Sequence, residues 1–364
     1  MAKILYYGIS DVLGGIESFI VNVYRNIDRE KFQIDFAAPM ENICFEKEFI
    51  EAGSKVYALP ARKDNPFKFY KAFRDLLKSH PEYQIVHFHL QSCSCFEPVI
   101  IAKLLGRKTI VHSHNEYRGT RKITRALDSA FRSVVPLFSD MNLACSDIAG
   151  RYMFRNRDFT VVNNAINAGK FSYSEEARNR YRKELGLVDK FVLGHVGRFD
   201  EQKNHEFLVD IFRSVHEKDP GAFLLMVGVG GLKAQIVEKL KSLGLERNYM
   251  ILENRSDIDQ LMQAMDVFVF PSVFEGLGMV VIEAQAAGLP CVVADTLPSA
   301  VEATDLLVWL SLNQSAEVWG RKVLELKGTG RQDTLQDIIE SGYEIKHEIS
   351  KLEDIYDSLL QRLD

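Results

Sequence analysis

Between Phe270 and Ala284 two carboxylates, Glu275 and Glu283, flank a loop that carries Gly276 and Gly278. An apolar run ends at Phe270, and a helix is predicted from about Met279 to the stop signal Gly288-Leu289-Pro290. Loop glycines let a ligand approach the backbone. The free N–H groups of a first helical turn, with the helix dipole, favour an anion such as a diphosphate. Glu275 stands just before that turn and Glu283 about two turns along, so the pair can bracket a ligand lying over the helix start and accept bonds from sugar and ribose hydroxyls. The competing expectation is two surface glutamates that cap and solvate the helix.

A second group points to the same chemistry. The segment Gly197-Arg198-Phe199-Asp200-Glu201-Gln202-Lys203-Asn204 leaves another apolar run near Val196 and puts Arg198 and Lys203 on one loop. Two cations there can neutralise a diphosphate leaving group. In the front half, Gly14-Gly15-Ile16-Glu17 follows the first apolar run and precedes a helical stretch, a further glycine loop suited to an anion. Its alternative is a tight strand-to-helix turn that needs positive φ.

The elements that must position these groups alternate along the whole chain: short β-rich runs between longer amphipathic stretches, the pattern of βαβ units and parallel sheets. Strands are expected near residues 4–7, 34–37, 85–89, 109–113 and 141–144, then near 192–196, 223–227, 250–253, 267–270, 291–294 and 307–310. The polar stretch 163–170 separates the two series as a linker. A chain of 364 residues is long enough for two domains with cores of their own. The expected division is a first domain over 1–165, a second over 171–337, and a last helix over 338–364 that packs back across both. Two doubly wound domains joined by one linker face a central cleft, where ligands bind at the carboxyl ends of the strands.

Composition narrows the class. Residues 1–170 hold 24 Lys and Arg against 18 Asp and Glu, and residues 171–364 hold 21 against 32. The basic front half includes Arg107, Lys108, Arg118, Arg121, Lys122, Arg125 and Arg132, a field that attracts phosphates, nucleic acid or an anionic membrane surface, with a solvated helix face as the competing expectation. Amphipathic stretches at 68–77 and 122–138 could lie on such a surface. No apolar run approaches a membrane span, and no signal-peptide pattern precedes residues 4–7. Five cysteines read as reduced thiols. The expected location is cytoplasmic, with peripheral contact at the inner face of the cell membrane.

These motifs together resemble the retaining glycosyltransferases of family four, whose fold, GT-B, has two Rossmann-like doubly wound domains. The similarity rests on the Gly14 to Glu17 loop, the strand ends Val86-His87-Phe88-His89 and Val111-His112-Ser113-His114, the Gly197 to Lys203 loop, and the Glu275 to Glu283 motif. The double histidine of Val111-His112-Ser113-His114-Asn115 and the tail 344–360 are most similar to bacterial capsular and exopolysaccharide transferases. At 164–166, Asn-Ala-Ile stands where the family often has Asn-Gly, a departure that touches the hinge rather than the chemistry.

The resemblance implies roles, with 1–165 as the acceptor-binding domain and 171–337 as the nucleotide-sugar donor-binding domain. Glu283 would bind the ribose, Glu275 would orient the donor sugar's hydroxyls, and Arg198 and Lys203 would hold the diphosphate. The backbone of Gly276, Leu277, Gly278 and Met279 would approach the donor, Asn254, Arg255 and Ser256 would edge the base, and Gly15 would reach in from the other domain. His114 would sit near the transferred sugar, with His112 as second candidate; the competing expectation for either is a strand histidine satisfied by a backbone carbonyl. The donor is expected to be a UDP-sugar, the acceptor a glycan or lipid-linked oligosaccharide, with no metal, cofactor or nucleic acid required. Two other readings are a sugar-nucleotide epimerase of the same architecture and a non-catalytic nucleotide-sugar-binding subunit.

Three further signals are set aside. Asp257-Ile258-Asp259 mimics a metal-binding Asp-x-Asp, but Ser256 and Asp259 read as a helix cap and its third residue. His87, His89, Cys93 and Cys95 lack the paired spacing of a zinc site. Gly228-Val229-Gly230-Gly231 is an incomplete dinucleotide fingerprint.

Overall fold

The structure is a computed structural model and describes residues 1–12, 14–114 and 122–361, with the side chains of 122–126 left out. Arg118, Arg121 and the side chains of Lys122 and Arg125 lie outside the described residues.

The chain forms two compact units, Met1–Ala165 with Ile345–Asp364, and Ile166–Glu344. The first is built on β1 (Ala2–Tyr7), β2 (Phe32–Ala38), β3 (Val56–Ala58), β4 (Tyr83–Leu90), β5 (Lys108–Ser113), β6 (Met141–Ala144) and β7 (Thr160–Val161). Their order is β3-β2-β1-β4-β5-β6-β7, with every pair parallel. The second holds β8 (Phe191–Val196), β9 (Ala222–Val227), β10 (Tyr249–Leu252), β11 (Val267–Phe270), β12 (Cys291–Ala294) and β13 (Leu307–Leu310). Its order is β10-β9-β8-β11-β12-β13, again parallel throughout. Both sheets are doubly wound and change direction once, between β1 and β4 and between β8 and β11.

Central strands are apolar on both faces because helices cover both; every residue of Ala222–Val227 is buried. In the first unit one face packs Phe19, Ile20 and Val23 of the helix Gly15–Asn26 with Ile349, Leu352 and Tyr356 of the helix Ile345–Gln361. The other face packs Phe69, Phe73 and Leu77 of the helix Pro66–Ser79. That helix starts where the Asn65 side chain accepts from Lys68 N and Pro66 occupies its first turn. Its apolar stripe is thus spent on the core. Phe67 remains 84% exposed. Arg107 also turns inward, donating to Leu77 O and Pro81 O, and Arg132 pairs with Asp128; the basic cluster is therefore smaller at the surface than its sequence implies.

The tail departs from the single helix expected over 338–364. Leu335–Glu340 and Ile345–Gln361 are separate helices, interrupted where Gly342 takes φ +80°, a left-handed conformation that ends a helix. The later helix belongs to the first unit's core. Its Tyr356 hydroxyl lies 2.6 Å from that of Tyr6, and buried Glu348 accepts Asn163 N at 2.7 Å. In the second unit Ile166 and Glu344 form a parallel bridge, and Asn167 caps a short helix, Ala168–Phe171, by accepting from Lys170 N. No described helix is long and apolar enough to cross a membrane.

Candidate active site

The carboxyl ends of β8 and β11 flank the point where the second sheet changes direction, the place where doubly wound sheets open a crevice. Arg198 and Lys203 leave β8, and Glu275 to Met279 leave β11. The two loops are tied together. Val273 N donates to Gln202 O at 2.8 Å, Gln202 Nε2 donates to Phe274 O at 3.0 Å, and Lys203 Nζ donates to Glu275 Oε1 at 2.6 Å. The Lys203 ammonium also lies 4.8 Å from the Phe270 ring centroid, a cation–π contact. Both partners of the ion pair are largely buried, 14% and 8% exposed.

Lys203 is the charge at this point because the imidazoles around it are neutral. Burial pushes His205 down to about 4 and His195 well below the usual histidine range, with the Lys203 charge adding to both shifts. Asp200 fixes the loop by accepting Lys203 N. Arg198 is exposed and meets Asp200 at 3.3 Å, so its guanidinium is free to swing onto a ligand.

Gly278 stands at the cap of the helix Met279–Ala286 with φ +86°, which a side chain would strain. Gly276 has open space at its Cβ position and is exposed. One and a half turns along, Glu283 is half-buried. Desolvation raises it to about 7, offset in part by Lys170 and reinforced by Asp259. Lys170 Nζ itself sits 3.0 Å from Asp259 Oδ1. Lys170, in the stretch expected as a linker, and Asp259, expected as the third residue of a capped helix, join the group that the sequence singles out.

The Asp-x-Asp segment is internally paired. Asp257 accepts from Arg255 and, at 2.6 Å, from Tyr181 Oη, and these partners hold its carboxyl well below the usual range. The capping expectation needs correction: the helix is Ile258–Ala264, Asp257 rather than Ser256 stands at its cap, and no side chain caps it, because Arg255 and Tyr181 draw the carboxylate away. Asn254, Arg255 and Ser256 are exposed, with Asn254 at φ +52°.

Gly228 and Gly230 have a steric role. A Cβ at Gly228 would stand 1.9 Å from Gly197 O, and one at Gly230 2.4 Å from Phe199 O. Phe199 N donates to Val229 O and Leu232 N to Phe199 O. These glycines therefore seat the Gly197–Phe199 backbone, which answers the fingerprint reading.

In the first unit Gly15 opens the helix Gly15–Asn26 behind Gly14, whose φ is −145°, and no positive φ is recorded at either. The turn expectation is therefore corrected. Among the described residues a Cβ at Gly15 would meet nothing within 4 Å. Glu17 turns under this loop, its Oε1 accepting Ser10 N at 3.0 Å and Ser10 Oγ at 2.7 Å.

His87 and His89 of β4 and His112 of β5 share one face of the sheet with His114, the residue just past β5. Their partners are not backbone carbonyls, contrary to the competing expectation. His89 Nδ1 meets His114 Nε2 at 2.9 Å, His87 Nε2 meets His112 Nδ1 at 3.3 Å, and His87 Nδ1 meets Tyr356 Oη at 2.8 Å. Burial pushes His114 down to about 3 and the other three well below the usual range. Cys93 packs in the opposite core, apart from these rings.

Comparison with known proteins places both units. Residues 13–170 match the family described as Glycosyltransferase Family 4, and residues 177–344 that described as Glycosyl transferases group 1. EpsF of Bacillus subtilis (strain 168) is 29% identical over 94% of this chain and 93% of its own length. The UDP-Gal:alpha-D-GlcNAc-diphosphoundecaprenol alpha-1,3-galactosyltransferase of Escherichia coli is 24% identical, covering 97% and 96%. The capsular polysaccharide biosynthesis glycosyltransferase CapH of Staphylococcus aureus is 25% identical, covering 74% and 75%. Among solved structures, Anabaena Alr3699/HepE in complex with UDP superposes with a TM-score of 0.79 at 19% identity, covering 98% of this chain and all of that one. The architecture is GT-B.

Proposed function

The chain belongs to the glycosyltransferases of family 4 and group 1 type, and from that membership we propose that it moves a hexosyl or N-acetylhexosaminyl group from a UDP-sugar, with retention, onto a glycan or lipid-linked oligosaccharide of capsule or exopolysaccharide synthesis. The observation that carries the reading is the Lys203–Glu275 pair at the switch point of the second sheet, with Glu275 three residues before the glycine that caps the next helix.

Lys203 and Arg198 neutralise the diphosphate as it leaves. Glu275 orients the sugar hydroxyls, and Glu283 accepts from the ribose. The Gly276, Leu277, Gly278 and Met279 backbone approaches the donor, while Asn254, Arg255 and Ser256 edge the base. In the first unit Gly15 and His114 serve the transferred sugar. The acceptor hydroxyl attacks the anomeric carbon on the face the diphosphate leaves, and a leaving phosphate oxygen takes its proton. No covalent nucleophile and no metal enter this scheme. The undecaprenol-linked acceptor named for the Escherichia coli relative supports a lipid-linked acceptor here. Exposed Phe67, near Lys63 and Lys68 in the sequence, supports peripheral contact with an anionic membrane face.

The test is a thermal-shift panel of UDP, GDP, NAD and several UDP-sugars on the native chain and on Glu283→Ala. Stabilisation by uridine nucleotides that disappears in the variant is expected. Stabilisation by NAD alone, or by no nucleotide sugar, overturns the reading.

A further inference from the structure

We propose that His87, His89 and His112 form a buried site for a divalent transition ion of the zinc class, in the first unit and independent of the donor loops. Parallel pairing sets His89 opposite His112, and alternate residues of a strand share a face. The two His-x-His pairs therefore stack as a two-by-two array. Ring centroids are 4.2 Å apart for His87 and His89, and 4.2 Å for His112 and His114.

One ligand nitrogen from each of His87, His89 and His112 lies within 4.8 Å of the other two. Zinc holds imidazole nitrogens at about 2.0–2.1 Å, which in a tetrahedron sets them roughly 3.3 Å from each other. His87 Nε2 and His112 Nδ1 already stand 3.3 Å apart, so closing the set needs only an inward tilt of the rings.

Two observations favour an ion over plain core packing. Among the described residues His89 Nε2, the nitrogen left to face the set, is buried with no hydrogen-bond partner, whereas buried polar atoms are nearly always satisfied. Two of the three outer nitrogens are also held as those of metal-binding histidines are. Tyr356 Oη, itself 2.6 Å from Tyr6 Oη, supports His87 Nδ1 at 2.8 Å, and His114 Nε2 supports His89 Nδ1 at 2.9 Å. An all-imidazole set suits zinc, copper or nickel rather than magnesium or calcium. The ion is structural: it ties β4 to β5 and, through Tyr356, to the helix Ile345–Gln361.

The experiment uses the full chain without an affinity tag, measuring metal content by mass spectrometry, then stripping with chelator and titrating with Zn²⁺ and Co²⁺. About one equivalent per chain, a visible d–d band with cobalt, and a higher melting temperature on adding zinc are expected. His112→Leu abolishes uptake. Tyr356→Phe, which leaves all three rings in place, weakens affinity about 10–100-fold. A stripped wild-type chain that takes up neither ion overturns the site, as does equal uptake by folded His112→Leu. Where His112→Leu does not fold, Tyr356→Phe decides, and unchanged affinity in it overturns the site.

Discussion

Lys203 Nζ and Glu275 Oε1, 72 residues apart in sequence, meet at 2.6 Å across the two loops that leave β8 and β11. Each neutralises the other in a largely buried setting, so removing one leaves the other uncompensated. In the proposed reaction a diphosphate arriving at Lys203 would replace one anionic partner by another and release Glu275 toward the sugar hydroxyls. Affinity and orientation are thereby coupled through one contact.

Lys203→Ala is expected to lower kcat/KM by about 10²–10³-fold, the usual effect of deleting one group that stabilises developing charge. Unfolding stability should fall by only about 1–3 kcal/mol. Steady-state kinetics beside urea denaturation separates the two; near-normal turnover would remove Lys203 from the chemistry.

Glu283 titrates within the working pH range. Its folded pKa of about 7 lies above its ordinary 4.5, so between those values the folded chain holds more protons than the unfolded one. Stability accordingly falls as pH rises from 4.5 through 7, by about 1–3 kcal/mol in all. Nucleotide binding should move the other way, because in the proposed site the ionised carboxylate accepts from ribose. Below pH 7 affinity should drop by up to about tenfold per unit. Melting curves and UDP titrations from pH 5 to 9 check both slopes, which Glu283→Gln should flatten.

Gly228→Ala is expected to cost about 2–4 kcal/mol, since the new Cβ would press on Gly197 O. The displaced Gly197–Phe199 backbone carries Arg198, so donor KM should rise as well. An unchanged KM in a folded variant would separate this packing from the site.

Added Mg²⁺ or Mn²⁺ should leave the transfer rate unchanged, because Asp257 is held by Arg255 and Tyr181 and Asp259 by Lys170. Assays with and without each ion, on wild type and Asp257→Asn, test this. Metal-dependent turnover lost in the variant would reverse the assignment.

The fold was legible where strands are buried on both faces: the runs near 192–196 and 267–270 become Phe191–Val196 and Val267–Phe270. The edge strands Val56–Ala58 and Thr160–Val161 are too short to carry a pattern. Glu275, Glu283, Arg198 and Lys203 were visible as charged groups beside glycine loops. Their pairing was not, because a contact between loops depends on strand order. The imidazole array escaped for the same reason: each His-x-His pair reads as ordinary alternation until β4 and β5 are laid side by side in register.

Because residues 345–361 complete the core of the first unit, that unit is discontinuous, and the second is an insertion within it. During synthesis, residues 166–344 emerge whole and can close their sheet before the first unit receives Tyr356 and Leu352. The amino-terminal sheet therefore waits with one apolar face uncovered. Chain order and folding order are reversed: the half made first is finished last.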